Sequence, residues 1–245
     1  NGFFCDVFVG NHSTVGKVAL KRLRILGGTV DNRKVIKREA MAWRGLEHRH
    51  ILQFLGTVER HRYLYFVSPF IENGTLVEYI VGHPDVNRLC ETADALRYLH
   101  GKGVVHGDIK GNNILIDDNV HCLLCDFGLT KMAESRTSTS MRGVGTFRWQ
   151  SPELWSDAPK SFSSDTYAFA ITIAEVLAGK APFSHLKNDP AVMHAVVDDN
   201  ERPPKQPLES LSGVSYKNVW EVAEACWPKL PEERISMADA FERLR

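Results

Sequence analysis

A change of hydrophobic period near residue 74 constrains this fold more than any other feature of the sequence. Up to residue 68 apolar and polar residues alternate as in strands. Phe4 to Val9 and Lys17 to Leu23 flank a turn at Gly10-Asn11-His12-Ser13, and Gln53 to Val58 and Tyr63 to Val67 flank Glu59-Arg60-His61. Between the pairs lies one helical segment, with Asp31 as N-cap and Val35, Glu39, Ala42, Trp43 and Leu46 on one face. After Glu72-Asn73-Gly74 the spacing turns helical. Val86, Leu89, Cys90, Ala93, Leu96 and Leu99 form a stripe that Gly101 closes. Short strands are expected at Val104-Val105, Ile114 to Ile116 and Val120 to Leu124, and helices near 165–178, 190–198, 216–226 and 236–244. A strand-rich first third and a helix-rich remainder imply an α+β chain in two lobes, with its chemistry at their junction.

With 43% hydrophobic and 24% charged residues, the chain can bury a substantial core. Lys plus Arg and Asp plus Glu both total 30, so no net field draws it to nucleic acid or anionic membrane. The longest apolar stretch, Tyr167 to Leu177, is too short to span a bilayer and contains Glu175. Five cysteines, an odd number, do not read as a disulfide framework, which points to a reducing, cytoplasmic location. Cys122 and Cys125 form a CxxC beside His121, but no second ligand pair follows at finger-like spacing, so they read as part of a buried strand. No GxxxxGK[ST] string is present, which excludes a P-loop nucleotidase.

The chemistry sits in His106-Gly107-Asp108-Ile109-Lys110-Gly111-Asn112-Asn113 and Asp126-Phe127-Gly128. Asp108 can accept a hydroxyl proton, while Asn113 and Asp126 offer the oxygen ligands that hard divalent cations prefer. Glu39 interrupts an apolar stripe, where an unpaired carboxylate is costly, and Lys21 at the end of Val18-Ala19-Leu20-Lys21 is the expected partner.

HxDxxxxN followed by DFG resembles the catalytic and metal-binding loops of protein kinases. The resemblance extends over essentially all of residues 1–245: a partial N-lobe at 1–68, a hinge at 69–73 and a C-lobe at 74–245. It implies MgATP as phosphate donor, with Mn²⁺ as an alternative metal, and a protein as acceptor. By that resemblance Lys21 grips the α- and β-phosphates and is held by Glu39. Asp108 is the base, Lys110 neutralises the γ-phosphate, and Asn113 and Asp126 hold the metal. Gly2 belongs to the phosphate-covering loop, Val7 and Ala19 roof the adenine, Leu115 floors it, and Pro69, Phe70 and Ile71 form the hinge behind a small gatekeeper, Ser68. His106 belongs to the catalytic loop, and Asp165 braces that loop from the central helix. Glu153, ending Ser151-Pro152-Glu153, pairs with Arg234. The GTxRWxxPE and CW…PxxR strings resemble the tyrosine-kinase-like group, and Lys110 with Thr146 is the pattern of Ser/Thr specificity.

Some positions depart from the family pattern. Cys5 stands where the third loop glycine would be, and the strand before the loop is missing from the sequence, so weakened ATP binding is expected. Gly107 replaces an arginine that usually grips a phosphorylated loop. Phosphorylation at Ser135, Thr137, Ser138, Thr139 or Ser140 is therefore expected to tune activity less than in kinases that keep it. HGDxxxxN also resembles small-molecule phosphotransferases, and the degenerate glycines fit a pseudokinase scaffold. Lys110, the SPE segment and Arg234 weigh against the first. The joint presence of Lys21, Glu39, Asp108, Asn113 and Asp126 weighs against the second.

Overall fold

A computed structural model describes residues 5–23, 40–60, 63–80, 87–127, 130–132, 146–205 and 216–245. The first layer is an antiparallel sheet of β1 (Cys5–His12), β2 (Gly16–Leu23), β3 (Gly56–Arg60) and β4 (Tyr63–Pro69), in the order β1-β2-β4-β3. The first turn lies at 13–15, not at 10–13. Pairing continues through Gly10–Val18, Asn11–Lys17 and His12–Gly16. There His12 Nδ1 accepts from the backbone N–H groups of Thr14 and Val15, and Gly16 supplies φ +82°. Residues paired directly across strands share a face, so Val7, Val9, Ala19, Lys21, Phe66 and Ser68 all project to one side of the sheet.

That side meets a helical turn at 40–44, where Trp43 is buried against Phe54 and Phe127 at ring-centroid distances of 5.1 and 5.4 Å. The indole N–H of Trp43 donates to Leu52 O at 2.6 Å, so this large side chain is buried with its polar group satisfied. The earlier part of the expected helix, with Asp31, Val35 and Glu39, lies outside the described residues.

The second layer holds α1 (Leu76–Ile80), α2 (Asn87–Gly101), α3 (Phe162–Ala178), α4 (Asp189–Val197), α5 (Lys217–Cys226) and α6 (Met237–Leu244). Two small strand pairs lie against it: β5 (Val104–Val105) with β8 (Lys131–Met132), and β6 (Ile114–Ile116) with β7 (Cys122–Leu124). On α2, Leu89, Ala93, Leu96 and Leu99 of the expected stripe are fully buried and Cys90 is half-buried, while Val86 lies outside the described residues; Thr92, Asp94 and Ala95 are buried as well. The helix is enclosed on several sides, packing on α6, α3, β5 and β7. It ends at Gly101, two residues after Leu99. Gly101 is still helical, and Gly103, at φ +73°, takes the left-handed conformation.

Further boundaries differ from the sequence expectation, and β3 runs from Gly56 to Arg60, not from Gln53 to Val58. Val120 has φ +62° and lies in a turn whose Asp117 carboxylate accepts from the N–H groups of Asn119 and His121, so the strand starts at Cys122. The central helix α3 begins three residues before Asp165, because Ser161 and Ser164 form a reciprocal capping box. The layers are joined by main chain: Leu52 N–H donates to Leu124 O and Leu124 N–H to His50 O, both at 2.9 Å. Cys122 is buried on β7 with its thiol donating to Arg88 O, and Cys122 and Cys125 are free thiols.

Candidate active site

The loop from His106 to Asn113 is held from beneath by α3. Asp165, 1% exposed, accepts from the backbone N–H groups of His106 and Gly107 at 2.8 Å each and from His100 Nε2 at 3.1 Å. Burial by itself would raise the Asp165 carboxyl. The His100 bond and charge, the nearby His106 and the Gly107 N–H outweigh it and hold the group below its ordinary value. Gly107 has φ +80°, a conformation glycine adopts at little cost, and Lys160 Nζ donates to its carbonyl at 2.6 Å.

His106 is buried, which pushes its imidazole below the usual range. Its Nε2 lies 3.0 Å from Cys125 O, and its Nδ1 accepts from Asp108 N–H at 3.2 Å, which assigns the neutral Nε2–H tautomer. Cys125 N–H donates to Asn113 O at 2.9 Å. The main chain just before Asp126 is thus bonded to both ends of the catalytic loop. Phe127, fully buried, packs between His106 and Trp43, and Asp126 turns out of the strand at φ +65°.

Around Asp108 the predicted catalytic groups converge. Asp108 Oδ2 accepts from Asn113 Nδ2 at 2.9 Å and lies 2.9 Å from Lys110 Nζ. Oδ1 accepts from Thr146 Oγ1 at 3.0 Å, and Lys110 Nζ also donates to Thr146 Oγ1 at 2.5 Å. Across the cleft, Lys21 Nζ lies 2.6 Å from Asp126 Oδ1. The expected Lys21–Glu39 pair cannot be described, since Glu39 lies outside the described residues, as does Gly2. Asn113 and Asp126 carry side-chain oxygens that could hold a metal, and Lys21, paired with Asp126, brings a cation for phosphate. This composition suits a hard divalent ion carrying a nucleotide.

Of the residues expected to contact the nucleotide, Ala19 and Lys21 share the sheet face with Val7, which is 58% exposed, and with the buried Ser68. Pro69, Phe70 and Ile71 are half-buried, and Phe70 N–H donates to Lys17 O at 3.1 Å, fixing this strand to β2. Leu115 is half-buried on β6, bridged to Thr75.

Glu153 and Arg234 pair in fork geometry at 2.8 and 2.7 Å. The guanidinium also donates to the carbonyls of Pro228, Ser163 and Lys229 and lies over the Tyr167 ring. Two contributors were not recognised from sequence. Lys160 carries no motif. Glu175, noted only as a charge within an apolar stretch, accepts from Gly111 N–H at 2.9 Å and from Trp149 Nε1–H at 3.0 Å. A carboxylate inside an otherwise apolar helix was the available signal. The five hydroxyl residues between 135 and 140 lie outside the described residues.

Comparison with known proteins agrees with this geometry. A serine/threonine-protein kinase of Arabidopsis thaliana, STY17, is 26% identical over 250 residues, covering 99% of this chain and 42% of that protein. The serine/threonine/tyrosine-protein kinase HT1 of the same plant is 27% identical over 254 residues, covering 94% and 63%. Receptor-interacting serine/threonine-protein kinase 2 of Bos taurus is 31% identical over 241 residues, covering 90% and 44%. The chain thus spans less than two thirds of each of these relatives. The family model described as "Protein kinase domain" matches residues 1–244. With that match and the arrangement around Asp108, the chain belongs to the protein kinase family.

Proposed function

We propose that this chain is a protein serine/threonine kinase of the tyrosine-kinase-like group, transferring the γ-phosphate of ATP to Ser or Thr hydroxyls of intracellular protein substrates. The observation that carries the reading is the triangle of Asp108, Lys110 and Thr146, with Asn113 bonded to the same carboxylate. A carboxylate held by a cation and two polar side chains, at the mouth between two layers, is built to receive a hydroxyl and take its proton.

In this reading Asp108 orients the acceptor hydroxyl and accepts its proton. Lys110, bridging Asp108 and Thr146, offsets negative charge on the phosphoryl group in flight. Lys21 binds the α- and β-phosphates. Asn113 and Asp126 would hold Mg²⁺, which would supply positive charge to offset that of the phosphates. Val7 and Ala19 cover the adenine, Leu115 supports it, and Pro69 to Ile71 offer main-chain groups at its edge. The lobes divide at 69–73. Among the described residues no helix is long and apolar enough to cross a membrane.

Phosphate transfer from labelled MgATP to a generic protein substrate, comparing wild type with Asp108→Asn, tests the assignment. Asn keeps the shape but cannot take the proton, so transfer should fall to background while folding and nucleotide binding persist. Equal transfer by both proteins refutes the reading, and nucleotide binding without transfer by wild type favours a scaffold.

A further inference from the structure

We infer that Glu175 is a positioning residue that keeps the catalytic loop in register with the segment lining the acceptor site. One oxygen, Oε2, accepts both Gly111 N–H from the loop and Trp149 Nε1–H from the turn just after Thr146. The two donors belong to the two halves of the Asp108 triangle. Lys110 and Asn113 flank Gly111, and Thr146 precedes the 3₁₀ turn of Phe147–Trp149. Their shared acceptor stands on α3, whose side chains around it are fully buried, so it moves with the core and not with either loop.

A second observation supports the tie. A Cβ on Gly111 would come within 3.0 Å of Glu175 Oε2 and would overlap Val77. The loop therefore approaches the carboxylate as closely as a glycine allows. Burial pushes the Glu175 carboxyl up, and the Gly111 N–H, the Trp149 indole and the charge of Lys110 pull in the opposite direction. All three counter-groups lie in or beside the acceptor site. A carboxylate needed only for packing could be replaced by an apolar side chain of similar size. This one spends a single oxygen on two segments that are distant in sequence.

The inference rests on the phosphotransfer reading for its consequence, but the tie itself can be tested without activity. In hydrogen exchange, Glu175→Ala should speed the amides of 108–113 and 146–150 together by about tenfold or more, as two buried donors lose their acceptor. The amides of α3 should stay unchanged. Glu175→Gln keeps a carbonyl oxygen with two lone pairs and should restore both segments to within about threefold of wild type. Exchange that changes in only one segment, or in neither, overturns the inference whatever the enzyme does. In steady-state kinetics the Ala variant should raise the KM for a peptide acceptor about tenfold and leave the KM for ATP within about twofold, with Gln close to wild type. Trp149→Phe should add little to Glu175→Ala, since both cut the same link. Equal changes in both KM values, or full additivity with Trp149→Phe, would leave Glu175 a purely structural residue and refute the proposal. Asp108→Asn run in parallel separates the two questions, because its retained transfer would sink the enzyme reading while the exchange result still decides Glu175.

Discussion

Arg234→Lys keeps the charge beside Glu153 and removes the planar fork, which makes it a demanding test of how the end of the acceptor-lining segment is anchored. All five N–H groups of Arg234 are used: Nε to Pro228 O, Nη1 to Glu153 and Ser163 O, Nη2 to Glu153 and Lys229 O. Its side chain has 0% exposure, so water does not replace a lost partner. A lysine brings three donors on one nitrogen and leaves at least two of the five acceptors unmet. At about 1–3 kcal/mol for each buried unsatisfied group, the substitution should cost about 2–6 kcal/mol. The guanidinium's place over Tyr167, 5.0 Å from the ring centroid, is lost as well. Urea denaturation followed by far-UV circular dichroism should show a lower midpoint with an unchanged slope. A lysine variant within about 0.5 kcal/mol of wild type would refute the claim that fork geometry, not charge alone, anchors Glu153.

Three further outcomes are expected. Gly111→Ala places a methyl group against Val77 and Glu175, so stability should fall by about 1–3 kcal/mol and phosphotransfer should drop with it, checked by melting and by transfer assay. Acidification should destabilise the fold. His106, His48 and His50 are all held below the ordinary imidazole value chiefly by burial, so from about pH 6.5 downward the unfolded chain takes up protons that the folded chain refuses. Asp165, held low, adds to the loss below about pH 4, and Glu175, held high, opposes it in part, so the denaturation midpoint should be lower at pH 5.5 than at pH 7.5. Asp165→Ala should unseat the catalytic loop by orphaning two backbone N–H groups, at a cost of about 2–6 kcal/mol, read as a lower melting temperature.

What the sequence revealed depends on how far apart the cooperating groups lie. Asp108, Lys110 and Asn113 are close in the chain, and their chemical types announce a proton acceptor, a cation and a metal ligand. The DFG string completes the pattern. The tie between Gly111 and Glu175 spans 64 residues and joins a backbone group to a carboxylate, so no local string encodes it. Element types were legible from hydrophobic period, whereas boundaries followed individual side chains. Gly10-Asn11 resembles a turn, but cross-strand pairing carries β1 past it, and Asp117 bends Val120 out of the strand that its apolar side chain suggests. Lys160 was invisible because its partner is a main-chain carbonyl.

The Asp108 carboxylate, as folded, already accepts from Thr146, Asn113 and Lys110, three of its roughly four lone-pair sites. On the proposed phosphotransfer reading, a water molecule beside bound nucleotide would have to displace one of these bonds without docking contacts of its own. On the same reading, a substrate hydroxyl on a docked polypeptide would take the place of the Thr146 hydroxyl, with docking contacts offsetting the exchange. On that reading, the three bonds that hold Asp108 would also limit hydrolysis of the nucleotide, favouring an acceptor that brings its own binding energy.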